Sequence, residues 1–224
     1  LYNAVLVDGW RIGRTVGLIH QMGCGILVIQ EAEWTASDYE AGIRRGVYGL
    51  WSGKLDASEA YITITVTIQN GLTAAWYQGA AACGITPEEL SIEEMTALSN
   101  AIFGEMQYLE RLIYDVAANN KQSGYKLKDW NPRISLWANR FGDVKNRAQM
   151  MACGDKKLKW ILGPTEDHCF TCLQLSGKVK RASTWAASGW TPQGKNLDCG
   201  GWNCKCELVV TDEEMTPGSL PRAV

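Results

Sequence analysis

The sequence predicts an α+β chain: a mostly helical N-terminal region followed by a small Cys-rich α/β domain with a short antiparallel sheet. Three observations lead there. Apolar residues recur at helical spacing through residues 35–153, the texture changes after Cys153-Gly154 to short apolar pieces set between Gly, Pro, Ser and Asn, and five cysteines fall within residues 169–206. At 224 residues and 46% hydrophobic, the chain can bury one large core or two small ones.

Residues 1–34 are a segment of unassigned role. Their apolar runs are broken by Gly9, Gly13, Gly17, Gly23 and Gly25, so neither a secretory leader nor a membrane helix is read there, and a soluble chain is expected. The helical domain, 35–153, carries four start signals. Thr35/Asp38, Asp56/Glu59 and Ser91/Glu94 each set a capping side chain three residues ahead of an acidic one, and Asn131-Pro132 puts proline at the first helical position. Helices are predicted near 36–51, 57–83, 92–120 and 132–152.

One stretch argues the other way. Tyr61–Ile68, YITITVTI, alternates like a strand, yet Tyr61, Ile64, Ile68, Leu72, Ala75 and Trp76 also form a helical stripe that continues beyond the alternation, and helix is the reading taken. The stripe Leu98, Ile102, Met106, Leu109, Leu112, Ile113 and Val116 marks the core face of the next helix. Cys24, Cys83 and Cys153 sit singly among apolar neighbours and are expected to be inert core residues.

In the Cys-rich domain, 154–211, KLKWILG, GKVKRAS and KCELVVT read as strands and STWAASGW as a short helix. The tail, 212–224, has the composition of a disordered or docking end.

Cys169 and Cys172, two residues apart, supply two soft ligands from one tight turn, and Cys204 and Cys206 offer a second pair. Spacing by a single residue is less usual, and Gly200 and Gly201 are read as bending the chain so that both sulfurs face one point. Structural zinc, a pair of disulfides and reduced buried thiols all fit these residues, with Cys199 a fifth sulfur able to replace one of the four. His168 is the weaker neighbour. No catalytic constellation accompanies the cluster: the His-x-Glu of a zinc deaminase and the βαβ setting of a redox pair are not found in the sequence, and a thiol nucleophile would have only His20 and His168 as partners.

The formal charge of −2 gives no global pull toward nucleic acid or membrane. Locally, Lys156, Lys157, Lys159, Lys178, Lys180 and Arg181 outnumber Asp155, Glu166 and Asp167, which allows a basic face for DNA; lysines guarding a strand edge are the plainer reading.

KWILGPTEDHCFTCLQLSGKV followed by CGGWNCKCEL resembles the C-terminal domain of the phage Mu F-like minor head proteins, the phage head-morphogenesis family. Trp160, Asp167, Cys169, Cys172, Leu175, Gly177, Val179, Asn203, Cys204 and Cys206 occupy that family's pattern. The segments LWANRFGDVKNRAQMMACGDKKLKW and GLTAAWYQGAAACGITPEEL are similar to its upstream helices. Gly201-Trp202 stands where relatives often have His-Pro, and Cys199 is an addition, which implies that a histidine ligand has been exchanged for Cys199.

The resemblance implies a minor structural protein of a tailed phage, present in the virion head and in the host cytoplasm during assembly. Portal or major capsid protein would be its partner, with DNA a further contact during packaging. No turnover chemistry, membrane or small-molecule substrate is expected, and a structural zinc ion is the expected cofactor. The alternatives are a zinc-stabilised nucleic-acid-binding module and, less favoured because an all-sulfur site is coordinatively closed, a virion-carried hydrolase or toxin.

Overall fold

A computed structural model describes residues 34–221. Four long helices come first: α1 (Ala36–Ser52), α2 (Ala57–Ala81), α3 (Ile92–Ala118) and α4 (Asn131–Ala152). The first three begin where their capping boxes place them, with Thr35, Asp56 and Ser91 each accepting from the backbone N–H of the acidic residue three positions on. α4 starts without a side-chain cap, after a 3-10 turn at Leu127–Trp130.

Tyr61–Ile68 is helical. Its β-branched residues lie on α2, where Ile64, Ile68, Leu72, Ala75 and Trp76 are buried and Tyr61, the first residue of the expected stripe, is exposed. The burial available along 25 residues of helix outweighs the local preference of eight residues for extended chain. On α3, Ile102, Leu109, Leu112, Ile113 and Val116 are buried as the stripe requires, with Leu98 and Met106 packed at its margin.

α2 is the central helix and lies closest to α4. At Gly79 a β-carbon would meet the Lys145 carbonyl oxygen and the Ala148 methyl group of α4. Gly79→Ala is therefore expected to force the two helices apart and cost about 1–3 kcal/mol, read as a lowered Tm with helical circular dichroism retained.

The C-terminal part holds a three-stranded antiparallel sheet in the order β2-β1-β3, from β1 (Lys157–Ile161), β2 (Val179–Arg181) and β3 (Glu207–Val210). Two short helices, α5 (Phe170–Leu175) and α6 (Ala182–Ser188), join it. α5 was not legible as a helix, being six residues long. Trp160 and Trp185 meet in the core of this part, their ring centroids 5.5 Å apart.

The expected boundary near residue 154 falls at the turn between α4 and β1. Two hydrophobic cores lie on either side of it, but the second also takes in Cys83 and Met150 from the helical part, and residues 34–221 belong to one compact unit. Two features join the cores. Cys83, beyond the end of α2, and Cys153, beyond the end of α4, form a disulfide with their Cα atoms 5.2 Å apart, so the expectation that both are inert thiols is corrected. Cys24 lies outside the described residues.

The second join is polar. One face of α4 buries Asn139, Arg140, Asp143, Asn146 and Gln149. Asn139 donates to the Gly201 carbonyl, Arg140 to that of Gln193, and Asn146 Oδ1 accepts from the backbone N–H of Leu208 on β3. Asp143 accepts from both Arg140 and Arg147. A helix face of this composition reads as solvated in a sequence; here it addresses backbone groups of the Cys-rich part.

The tail expected to be disordered or to dock is laid along its own sheet. Thr216 exchanges two hydrogen bonds with Val179 of edge strand β2, and Trp190 donates its indole N–H to the Pro221 carbonyl.

Candidate metal centre

β1 ends beside the cysteine cluster, α5 carries one side of it and the segment leading into β3 carries the other. Cys169 caps α5 and Cys172 follows in its first turn, so the two-residue spacing turns both toward the same side. Cys204 and Cys206 need no bend between them. Cys204, Lys205 and Cys206 alternate buried, exposed, buried, since positions i and i+2 of an extended segment share a face. Gly200 and Gly201, at φ 58° and 80°, instead make the turn that delivers this segment.

Gly163, at the end of β1, is a position of close approach: a β-carbon there would collide with the Lys205 carbonyl. That closeness lets the Gly163 N–H reach Cys206.

The Cys172, Cys204 and Cys206 sulfurs all lie within 4.8 Å of one another, with the residues 1%, 6% and 1% exposed. Cys172 Sγ and Cys204 Sγ are 3.8 Å apart. Four sulfurs placed tetrahedrally about zinc at about 2.3 Å are separated by about 3.8 Å, so this edge has the length a thiolate tetrahedron requires and is far longer than a disulfide bond. Cys169 and Cys199 lie outside this close group of three, half-buried on the cleft that the three also line.

The electrostatics are those of thiols crowded around one anion. Hydrogen bonds from Cys172 and Cys204, with help from the Gly163 amide and the Trp160 indole, outweigh burial and hold Cys206 as a thiolate, its pKa brought down to about 3. Cys172, which donates to Cys204 and Cys206 and is buried, is pushed far up. Cys204 accepts from Cys172, but donation to Cys206 and burial give it a net upward shift. Burial opposes the Cys169 thiolate, and hydrogen bonds from the backbone of Cys172 and Cys199 more than compensate, so its pKa falls. Cys199 is raised to about 12, mainly by burial.

Trp160 is a contributor that the sequence reading did not assign. Its indole N–H is buried with no hydrogen-bond partner and lies near enough to Cys206 to favour that thiolate. N–H donors to a ligating thiolate fix its orientation in the manner of other outer-shell contacts. Trp160→Phe, which keeps the ring but removes the donor, is expected to weaken zinc binding by about tenfold in competition with a chromophoric chelator. Asp198 is a second: its carboxylate accepts from the backbone N–H (2.9 Å) and hydroxyl (2.6 Å) of Thr171, tying the Cys199 loop to α5. His168 turns to Thr165, with 3.2 Å between its Nδ1 and the hydroxyl, and is not in the sulfur cluster.

Five of the six cations considered for DNA are engaged within the chain. Lys156 donates to the Cys83 carbonyl, Lys157 to the carbonyls of Asp212 and Glu213, and Lys159 to the Glu213 carboxylate. Lys180, 8% exposed, grips the Thr216 and Gly218 carbonyls, and Arg181 bonds the Asp155 carbonyl. Lys178 is half-buried. These residues hold the tail and the junction between the cores; lysine needs acceptors when it is buried, and the tail backbone supplies them.

The fold and the cluster together define an α+β protein with a buried group of three cysteine sulfurs that could hold a metal ion. No family model, curated protein or solved structure matches this chain. Among the described residues no helix is long and apolar enough to cross a membrane.

Proposed function

We propose that this is a non-catalytic structural protein whose C-terminal part is held by one zinc ion on Cys169, Cys172, Cys204 and Cys206, and that it serves as a minor head protein of a tailed phage, bound to portal or shell. The observation that carries the clamp is the buried triad of Cys172, Cys204 and Cys206, with 3.8 Å between the Cys172 and Cys204 sulfurs. Four thiolates complete the coordination and leave no open position for a water or substrate, which favours a structural over a hydrolytic role. A three-stranded sheet of short strands buries too little surface to stand alone, and a bound metal supplies what is missing.

The assignment to the phage head is supported by the motif from Trp160 to Cys206. The nucleic-acid reading is less favoured, since five of its six cations are engaged within the chain, three of them by the tail. Mass spectrometry of gradient-purified heads is the test: peptides of this chain should be recovered with the particles, and their confinement to the soluble lysate would overturn the head assignment while leaving the zinc clamp to stand on metal analysis.

A further inference from the structure

α3 carries apolar side chains on two opposite faces. One face, with Ile102, Leu109 and Val116, lies in the helical core. On the other, Ile92, Phe103 and Tyr114 are 79%, 67% and 69% exposed. Each is eleven residues from the next, three turns of helix, so they return to the same side within about 20° and stand in one line at intervals of about 16 Å. Single exposed apolar residues are ordinary on a surface, but a straight row of three large ones is the pattern of a helix that packs on both sides.

The row is symmetric about Phe103. A second copy of α3 laid antiparallel, with a two-fold axis at Phe103, brings Phe103 against its own counterpart and sets Ile92 against Tyr114 of the second copy at both ends. The charges agree with this direction. Glu93 and Arg111 are both exposed, and the eighteen residues between them make five turns, which puts them on one flank of the row. The same two-fold axis places Arg111 within a turn of Glu93 of the second copy. Parallel pairing would instead set Glu93 against Glu93 and Arg111 against Arg111, which like charges oppose. Arg111 bonds Asp115 of its own helix through Nε at 2.9 Å, and its guanidinium carries further N–H donors for a second carboxylate.

We propose that the outer face of α3 is a self-association surface, an antiparallel α3–α3 contact between two copies of this chain centred on Phe103. It depends neither on the metal centre nor on the phage-head assignment. The strip is about 33 Å long between its outer anchors and one helix wide, smaller than the roughly 800 Å² per partner of a standard interface, so the dimer exchanges with monomer as concentration changes.

The test is sedimentation equilibrium of the full chain over a range of concentrations. Expected is a rise from the monomer mass of 24.7 kDa toward twice that value. Phe103→Lys places two like charges on the axis with one substitution and should weaken the dimer at least about tenfold, with helical circular dichroism and Tm unchanged because the side chain is exposed. Arg111→Glu should also weaken it, and Glu93→Arg combined with Arg111→Glu should restore it, since the reversed pair is again complementary across the antiparallel axis. A parent chain that stays monomeric to about 1 mM, or a dimer that Phe103→Lys leaves at the parent's affinity, overturns the surface. Charge reversal without rescue overturns the antiparallel pairing.

Discussion

Protein purified under reductant is expected to carry about one equivalent of zinc, and Cys172→Ser to carry none. Cys172 is the right residue to remove, because it is 1% exposed and its sulfur lies within 4.8 Å of those of both Cys204 and Cys206. A neutral hydroxyl is a poor zinc ligand. Structural zinc contributes on the order of 10–16 kcal/mol of apparent folding free energy in small domains, as much as the whole net stability of many proteins. Loss of the ion should therefore unpack the sheet, removing the near-ultraviolet circular dichroism of the Trp160–Trp185 pair, while most of the helical signal persists. A chelator should do the same to the parent. Because Cys172 and Cys204 hold their protons above the ordinary thiol range, binding must expel those protons, and zinc affinity should fall as pH is lowered. A metal-free Cys172→Ser protein that melts like the parent would end the zinc reading.

The second large effect is expected at Asp143. Its side chain is 3% exposed, that of Arg140 is 5% exposed, and Arg147 reaches in from the surface to share the carboxylate. Asp143→Ala leaves the Arg140 guanidinium buried with only its long bond to the Gln193 carbonyl, an arrangement that costs about 3–5 kcal/mol. Burial raises the Asp143 pKa against the pull of Arg147 and Arg140, so the folded state favours the protonated group; that contribution is present below the unfolded pKa and is lost as pH rises through the folded one. Asp143→Asn, which keeps an acceptor for Arg140 without a buried charge, should accordingly lose only about 1–2 kcal/mol. Denaturant melts at neutral pH check the order, and an Asn variant as unstable as the Ala variant would assign the stability to charge after all.

The parts of the fold that were legible in sequence are those set by neighbours along the chain. Thr35, Asp56 and Ser91 announce their helices because a capping box spans three residues, and the strands of the sheet announce themselves by short apolar runs. The stretch Tyr61–Ile68 was decided by looking past its local alternation to Trp76. What escaped depends on distant partners. Cys83 and Cys153 look solitary because 70 residues separate them. Asn139, Arg140 and Asn146 look like a solvated face because their acceptors and donors lie on a loop and strand more than 50 residues away. That Lys157 and Lys180 bind the tail was likewise hidden, because backbone carbonyls leave no mark in composition.

At the sulfur cluster the ligand types and both pairs were visible, and the order of the five was not. Spacing cannot say which of the five gather; Cys172, Cys204 and Cys206 do, while Cys169 and Cys199 stand half-buried outside the close group.

The Cys83–Cys153 bond also sets how the molecule bears load. A protein stretched from both ends lengthens by whatever contour its unfolding sets free, at about 3.4 Å per residue. Here the bond is a short circuit in parallel with α3, α4 and their connections, so tension passes from the end of α2 to the start of β1 without entering the 70-residue loop. About 240 Å of contour is withheld until the bond is reduced. Single-molecule extension should show that length appear on adding reductant, and the helices inside the loop, α3 and α4, should feel no pull before it does.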